Sequence, residues 1–243
     1  MYRRLAIIVL ILFTETNAFA VDPESNIKAA LQKFRPDITV DNVSKTPLTG
    51  IYEVFAGGQI YYTDENAHYL LVGPLIDLVR KVSITDERMA QLTAVKFDQL
   101  PLELALKRVK GNGLRTFVYF GDPDCPFCRK LEQELTKVDN ITIYTFVFPI
   151  TELHPNAEIM ARKIWCSKDP ATAWTNYMLN STPPLSDGDC ATPIEKTRAY
   201  AQKLRIDATP TMIFADGRRI PGSPSAAQLE HELAKAQPKN NSQ

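Results

Sequence analysis

The feature that most constrains this chain is the dithiol motif Cys125-Pro126-Phe127-Cys128, which lies between a predicted strand and a predicted helix. The preceding run over 114–120 is apolar, β-branched and aromatic, which favours a buried strand, and residues 121–124 favour a turn. Phe127, Leu131 and Leu135 recur at helical spacing. The pattern therefore predicts two cysteines at the N-terminus of a helix that directly follows a buried strand.

This placement favours redox chemistry. The attacking species in thiol–disulfide exchange is a thiolate, and a helix N-terminus stabilises it with free N–H groups and partial positive charge. Cys125 is therefore predicted to be the nucleophile and Cys128 the resolving thiol, and Pro126 suits the first helical turn. The alternative is half of a zinc site, which ordinarily needs a second close pair of ligands. The other cysteines and histidines are scattered, so no metal site or cofactor is expected.

The first twenty residues have the pattern of a cleaved export signal. Arg3 and Arg4 precede an apolar run over 5–13, which is too short to cross a bilayer as a helix. Ala18-Phe19-Ala20 fits the small-x-small rule for cleavage. The mature chain is therefore predicted to begin at Val21 and to be soluble, without stable membrane insertion; the alternative is an uncleaved anchor.

Export would place the four cysteines where disulfides persist. Two pairs are then expected: the dithiol, and a structural disulfide between Cys166 and Cys190, neither of which opens a strand-to-helix turn. A regulatory, reducible bond is the alternative for the second pair. Without residues 1–20 the chain has a net charge of −1, which gives no support for binding to nucleic acid or to an anionic membrane surface.

Residues 21–82 are predicted to form a small α+β domain. Its predicted elements are a helix over 23–34 and three strands over 51–55, 59–63 and 68–72. So small a core is marginal alone, and its open strand edges can pair with a second copy. We therefore interpret it as a dimerisation domain; packing against the rest of the chain is the alternative. A helix over 83–97, with N-cap chemistry from Thr85 and Asp86, is predicted to form the linker segment 83–98.

From residue 99 to residue 243 the predicted strands and helices alternate. The strands are predicted over 114–120, 141–148, 209–215 and 218–220, and the helices directly after the dithiol and over 156–167, 171–179, 193–204 and 224–236. A loop is predicted over 181–189. This order, with helices inserted in the middle, resembles a thioredoxin-like architecture, so the expected fold class of the chain is α+β.

Thr209 and Pro210 begin the predicted strand that follows the inserted helices. A proline cannot donate to a strand ladder, and this position resembles the cis-proline loop that faces the nucleophile in thioredoxin-like folds. Free backbone groups of such a loop can pair with a substrate strand. We therefore expect a cis Thr209–Pro210 bond and contact with substrate; an ordinary trans proline is the alternative.

The whole mature sequence resembles the DsbC family of periplasmic disulfide isomerases. The likeness is carried by residues 47–74, the predicted linker helix, the dithiol, residues 164–169 and Thr209-Pro210. It implies a V-shaped homodimer joined through cystatin-like N-terminal domains, with the catalytic domains facing a shared cleft. It also implies a periplasmic location, a nucleophile at Cys125, a resolving thiol at Cys128 and a structural Cys166–Cys190 bridge.

One departure from the family concerns the residues between the two cysteines. The family usually carries Gly-Tyr where this chain has Pro126-Phe127. Phe127 lacks the charge with which a histidine at this place helps the thiolate of strong oxidases, and Asp122 and Asp124 are expected to oppose it. The pKa of Cys125 is therefore expected to lie below the free value of about 8.5 and well above the strong-oxidase value of about 3.5.

Three functions are compatible with these patterns. The first is an isomerase that acts on misfolded, disulfide-bearing exported proteins and is kept reduced by a membrane reductase of the DsbD kind. The second is a dimeric dithiol oxidase. The third is a chaperone that holds unfolded chains in an apolar cleft, with the dithiol in a secondary role.

Overall fold

The computed structural model describes residues 22–236; the predicted signal segment and residues 237–243 lie outside this range. Contacts divide the chain between Gly73 and Pro74 into two compact units. Each unit combines helices with strands, which confirms the predicted α+β class, while the predicted domain limits at residues 82 and 98 stay predictions. Within residues 22–236, no helix has the length and apolar character needed to cross a bilayer.

The first unit is a four-stranded antiparallel sheet with one helix packed against it. In chain order it contains α1 (Pro23–Phe34), β1 (Val40–Lys45), β2 (Ile51–Ala56), β3 (Gln59–Asp64) and β4 (Leu70–Leu71). The strands lie side by side in this order, so β1 and β4 form the two edges. The core of the unit is formed by Ile27 from α1 and by apolar side chains of β1 and β2.

Sequence patterns do not predict β1, because its two apolar residues do not alternate as a strand requires. Val40 pairs with Ala56, but Asn42 already pairs with Phe55, so Asp41 is an extra residue in a bulge. The bulge brings both Val40 and Val43 to the buried side of the sheet. The predicted three-stranded meander therefore corresponds to β2, β3 and β4, and β1 adds a fourth strand beside β2.

The second unit contains the dithiol. It begins with the hairpin β5 (Ile76–Asp77) and β6 (Val82–Ser83) and with α2 (Ile84–Leu92). The later elements are β7 (Leu106–Lys110), β8 (Arg115–Gly121), α3 (Pro126–Leu135), β9 (Ile141–Val147), α4 (Ala157–Trp165), α5 (Pro170–Asn180), α6 (Ile194–Lys203), β10 (Thr211–Phe214), β11 (Arg219–Pro221) and α7 (Ala226–Lys235). As predicted, three helices are inserted between β9 and β10.

The five-stranded sheet of this unit has the order β11-β10-β8-β9-β7. The central strands β8 and β9 are parallel, and the other neighbours are antiparallel. β8 is buried on both faces: Phe117 and Tyr119 belong to one apolar cluster, and Val118 and Phe120 to the other. The strand that precedes the dithiol thus ends in the buried interior, which fixes the position of the turn that follows it.

The predicted linker helix is shorter than expected. α2 ends at Leu92, its N-cap is Ser83 rather than Thr85 or Asp86, and the segment 83–98 is helical only in its first part. The chain leaves the helix because the Val95 N–H donates to the carbonyl oxygen of Gly217 at 2.9 Å. This approach requires glycine: a Cβ at Gly217 (φ +83°) would lie 2.3 Å from the Val95 carbonyl oxygen.

β7 is also absent from the sequence-based expectations, because it is a charged edge strand. Its sequence, Leu-Lys-Arg-Val-Lys, buries only Leu106. Arg108 instead forms an ion pair with the buried Glu132 of α3. Lys110 donates to the carbonyl oxygens of Leu135 and Val138 at the end of α3. Arg108 and Lys110, whose charges prevent the strand from showing an apolar pattern, therefore bind α3 and fix its position.

Candidate active site

The dithiol lies where the buried strand β8 passes into α3. Cys125 is the N-cap of α3, and Pro126 occupies its first turn, as the sequence predicts. The Cys125 N–H donates to the carbonyl oxygen of Asp122 at 3.2 Å, which closes the turn between strand and helix. Both thiols are free, and Cys125 and Cys128 retain only 5% and 0% of their accessible surface.

The environment of Cys125 favours its thiolate. A hydrogen bond from the Cys128 thiol is the largest cause that lowers the pKa of Cys125, to about 5. Backbone N–H groups of Cys128 and Phe127 and the side chain of Thr209 act in the same direction, whereas burial opposes them. The value lies between those of a free thiol and a strong oxidase, as expected, but the neighbouring thiol contributes more than the helix N-terminus on which that expectation was based.

Cys128 has the opposite character. Burial raises the pKa of the Cys128 thiol well above its ordinary value, and the nearby Cys125 raises it further. Its Sγ accepts a hydrogen bond from the Asp122 N–H at 3.4 Å. The two thiols therefore differ in ionisation: near neutral pH one is a thiolate and the other a protonated thiol.

The loop before β10 faces the nucleophile. The Thr209–Pro210 bond is cis, and the Cys125 Sγ lies 3.4 Å from the Thr209 carbonyl oxygen, to which the protonated thiol donates. Pro210 is buried, and its carbonyl oxygen accepts from the Gly222 N–H at 2.8 Å. The structure thus brings Thr209 against the dithiol, although the two are far apart in the sequence.

Comparison with known proteins connects this geometry to a family. A thioredoxin-like domain matches residues 102–237, and the N-terminal domain of disulfide bond isomerase proteins matches residues 18–86. The probable thiol:disulfide interchange protein DsbC of Bordetella parapertussis is 38% identical over 89% of this chain and 77% of its own length. The chain belongs to the DsbC family. It is therefore an enzyme of thiol:disulfide interchange with a thioredoxin-like domain, which confirms the predicted family and class of activity.

Two further comparisons agree with this membership in the DsbC family. The thiol:disulfide interchange protein DsbC of Escherichia coli K12 is 22% identical over 89% of this chain and 90% of its own length. The crystal structure of a disulfide interchange protein from Neisseria gonorrhoeae is 38% identical, with a TM-score of 0.56. It covers 58% of this chain and is itself covered completely.

The other two cysteines lie in the helical insert. Cys166, the C-cap of α4, forms a disulfide with Cys190, and their Cα atoms are 5.8 Å apart. The loop that carries Cys190 approaches α4 closely at Gly188, where a Cβ would lie 3.3 Å from the Lys163 nitrogen. Cys166 is half-buried and Cys190 is exposed. The bond joins α4 to the loop after α5, and its structural role stays a prediction.

Asp122 does not stand beside the thiolate as an isolated charge. Its side chain is fully buried, and its Oδ2 accepts from the Ile150 N–H at 2.8 Å and lies 3.0 Å from His154 Nδ1. Its Oδ1 accepts from the Asp124 N–H at 2.8 Å. Neither aspartate is among the leading causes that set the pKa of Cys125. Asp122 is therefore held by partners that the sequence does not reveal.

Asp124 has a partner in the helical insert. Its Oδ1 accepts from the Tyr177 hydroxyl at 2.8 Å, and burial together with this carboxylate raises the pKa of Tyr177 to about 12. Arg129, which follows the dithiol, donates to the carbonyl oxygens of Tyr177 and Met178. His154 and Tyr177 are site residues that sequence reasoning missed. No spacing rule links them to the dithiol, because only the folding of the loop after β9 and of α5 brings them there.

Proposed function

We propose that the chain is a periplasmic disulfide isomerase with Cys125 as its nucleophile. The Cys125 thiolate attacks one sulfur of a wrong disulfide in an exported protein. A Cys125–client disulfide forms, the client S–S bond breaks, and the second client sulfur leaves as a thiolate. The observation that carries the proposal is the opposite ionisation of the two thiols, with the pKa of Cys125 lowered to about 5 and that of Cys128 raised.

The mixed disulfide then has two routes to resolution. The free client thiolate can attack another client disulfide and finally displace Cys125, so that the client is rearranged without net oxidation. Alternatively, Cys128 attacks Cys125, which reduces the client and oxidises the enzyme. Because Cys128 is buried and its pKa is raised, the second route is slow, and the client has time to rearrange.

The second route consumes the reduced enzyme. A reductase must then return two electrons to the Cys125–Cys128 disulfide, and we propose a membrane reductase of the DsbD kind. The backbone groups of Thr209 and Pro210 are proposed to bind the client strand, since this loop lies against the Cys125 sulfur. The periplasmic location is proposed from the export-signal pattern of residues 1–20.

We further propose that the first unit forms a homodimer along β4. Among residues 22–236 this strand is an outer edge of its sheet and pairs with β3 alone. The side chains of residues 69–72 are Tyr, Leu, Leu and Val, and all four are exposed. An apolar edge strand of this kind is open to pairing with another chain, and a two-fold axis would cover both copies at once.

Refolding of a scrambled multi-disulfide protein, run beside oxidation of a reduced one, tests the proposed activity. The isomerase should accelerate the first reaction more than the second, and Cys125→Ala should abolish both. A wild type that only oxidises would favour the oxidase. A Cys125→Ala/Cys128→Ala variant that still supports refolding would favour the chaperone. Either result would contradict the proposal.

Truncation tests the proposed dimer. A chain that begins at Pro74 keeps the second unit intact, including the pairing of Val95 with Gly217, whereas one that begins near Gln99 would lose it. The shortened protein should be monomeric by light scattering and should still reduce insulin, but it should refold scrambled substrate poorly. A monomeric full-length mature protein would contradict the proposed dimer.

A further inference from the structure

Asp122 is the residue through which the dithiol is held. Its carbonyl oxygen accepts from the Cys125 N–H at 3.2 Å, and its own N–H donates to the Cys128 Sγ at 3.4 Å. Both active cysteines therefore contact the backbone of one residue. The Asp122 side chain is therefore attached to the backbone that both cysteines contact.

That side chain is a carboxylate with 0% of its surface exposed. Two backbone N–H groups, from Asp124 and Ile150, donate to its two oxygens. Neutral donors offset part of the cost of burying a negative charge, but an ion without a counter-ion remains expensive in the interior. The group at 3.0 Å that can carry a positive charge is the imidazole of His154.

The fold places His154 there by pairing two loops. The Phe148 N–H, just after β9, donates to the Gly121 carbonyl oxygen at 2.8 Å, at the end of β8. The following turn is closed by the His154 N–H, which donates to the carbonyl oxygen of Ile150 at 2.9 Å. The side chain of His154 keeps 23% of its surface exposed, so a proton can reach it from solvent.

The charged groups that act on the imidazole are all acidic. The hydrogen bond with Asp122 is the largest cause that raises the pKa of His154, and the charges of Asp122, Cys125 and Asp124 act in the same direction, while burial opposes them. Cys125 loses its proton near pH 5, whereas the pKa of His154 is raised above the ordinary value of an imidazole. The same acidic groups therefore favour the charged imidazolium beside Asp122.

We propose that His154 is a positioning residue for thiol–disulfide exchange: its imidazolium, held against the buried Asp122 carboxylate, neutralises that charge and prevents it from opposing the Cys125 thiolate. The inference rests on the proposed role of Cys125 as nucleophile. It also assigns a purpose to the loop after β9, which carries the positive charge that the dithiol motif itself lacks. Phe127 stands where strong oxidases carry a histidine, and His154 reaches the same turn from outside the motif.

The test compares two replacements at position 154 in the full mature protein. His154→Gln keeps a hydrogen-bond donor but no charge, and His154→Arg restores a permanent positive charge that can bind a carboxylate. We expect His154→Gln to raise the pKa of Cys125 by about one unit, and His154→Arg to leave it near the wild-type value. Ultraviolet absorbance of the thiolate against pH measures the pKa.

The pH profile of exchange with a small aromatic disulfide gives a second readout. Near pH 5, His154→Gln should react about two-fold more slowly, because its thiolate fraction falls more than its nucleophilicity rises. Near pH 7.5, where both proteins are ionised, the more basic thiolate should react about three-fold faster. A loss of packing alone would not produce this reversal.

A double variant separates neutralisation of charge from support of the loop. In Asp122→Asn/His154→Gln neither charge is present, so the pKa of Cys125 should return toward the wild-type value. The inference is wrong if His154→Gln leaves this pKa unchanged, or if His154→Arg shifts it as far as His154→Gln does. A Cys125→Ser variant that still catalysed exchange would instead refute the proposed function, and this outcome is distinct from the other two.

Discussion

Arg108 and Glu132 form a buried ion pair below α3, and its removal gives a stringent test of how the second unit is stabilised. Glu132 has 2% of its side chain exposed and accepts from Arg108 Nη1 at 2.7 Å and Nη2 at 2.5 Å. Trp174 Nε1 donates to it at 2.8 Å, and the Tyr119 hydroxyl also donates to it. Burial is the largest single cause and would raise the pKa of Glu132, but the charge of Arg108 and the hydrogen bonds from Arg108, Tyr119 and Trp174 together outweigh it, and the pKa is lowered.

We expect Arg108→Met to lower the free energy of unfolding at neutral pH by about 3 kcal/mol, since breaking a buried pair leaves an uncompensated charge. This is the lower end of the usual range, because 15% of the Arg108 side chain is exposed and water reaches the pair. With a urea dependence of about 2 kcal/mol per molar, the unfolding midpoint should fall by about 1.5 M. Fluorescence of the buried Trp174 follows the transition.

The pH dependence has a definite sign. In the wild type the lowered pKa of Glu132 means that the pair contributes stability above the ordinary carboxyl range, and that this stability is lost as pH falls through the lowered value. In Arg108→Met burial should raise the pKa of Glu132, so acidification protonates this carboxylate and removes the cost of burying its uncompensated charge. The difference in free energy of unfolding between the wild type and Arg108→Met should therefore narrow from neutral to acidic pH.

The matched control is Arg108→Met/Glu132→Gln. It removes both charges and keeps an acceptor for Trp174 and Tyr119, so it should be more stable than Arg108→Met alone. A loss of less than about 1 kcal/mol in the free energy of unfolding of Arg108→Met would contradict this prediction. So would a double variant that is no more stable than Arg108→Met.

Three other predictions concern the thiols and one turn. The folded reduced enzyme should gain stability relative to Cys125→Ser as pH rises from about 5 to about 8.5, because folding lowers the pKa of Cys125. A difference in free energy of unfolding that stays constant with pH, measured by urea denaturation, would contradict this. Increasing concentrations of dithiothreitol should reduce the Cys125–Cys128 disulfide of the oxidised enzyme before Cys166–Cys190, because Cys125 is a low-pKa leaving group. This order is expected although Cys190 is exposed. Alkylation of both pairs at the same concentration, seen by mass spectrometry, would argue against a structural bridge. Gly217→Ala should lower the free energy of unfolding by about 2 kcal/mol or more, and Gly222→Ala by about 1 kcal/mol. Both glycines have positive φ, but only a Cβ at Gly217 would meet a carbonyl oxygen. Equal thermal unfolding midpoints of the two variants would contradict the close approach at Gly217.

Local patterns were sufficient to predict the elements that carry the dithiol. The apolar run before Cys125 predicted β8 to within one residue at each end, and the helical spacing of Leu131 and Leu135 predicted a helix where α3 lies. These elements obey simple periodicity because each buries a continuous apolar surface. The predicted fold class depended on the same strong signals.

Other features depended on pairing that a single sequence does not display. β7 carries inward charges whose partner, Glu132, lies on a helix formed later in the chain. α2 ends early because a backbone group pairs with Gly217. The partners of Asp122 and Asp124 are His154 and Tyr177, which reach the turn from the loop after β9 and from α5. In each case a tertiary contact outweighs the local pattern.

The contacts of the helical insert with the redox turn have a consequence for exchanging parts between relatives. Tyr177 bonds to Asp124 just before the dithiol, and Arg129 just after it binds the end of α5. The insert therefore contacts the residues on both sides of the four-residue motif. A chimaera that transfers the motif alone would leave both contacts behind, so the unit of transfer that preserves them is residues 124–129 together with α5.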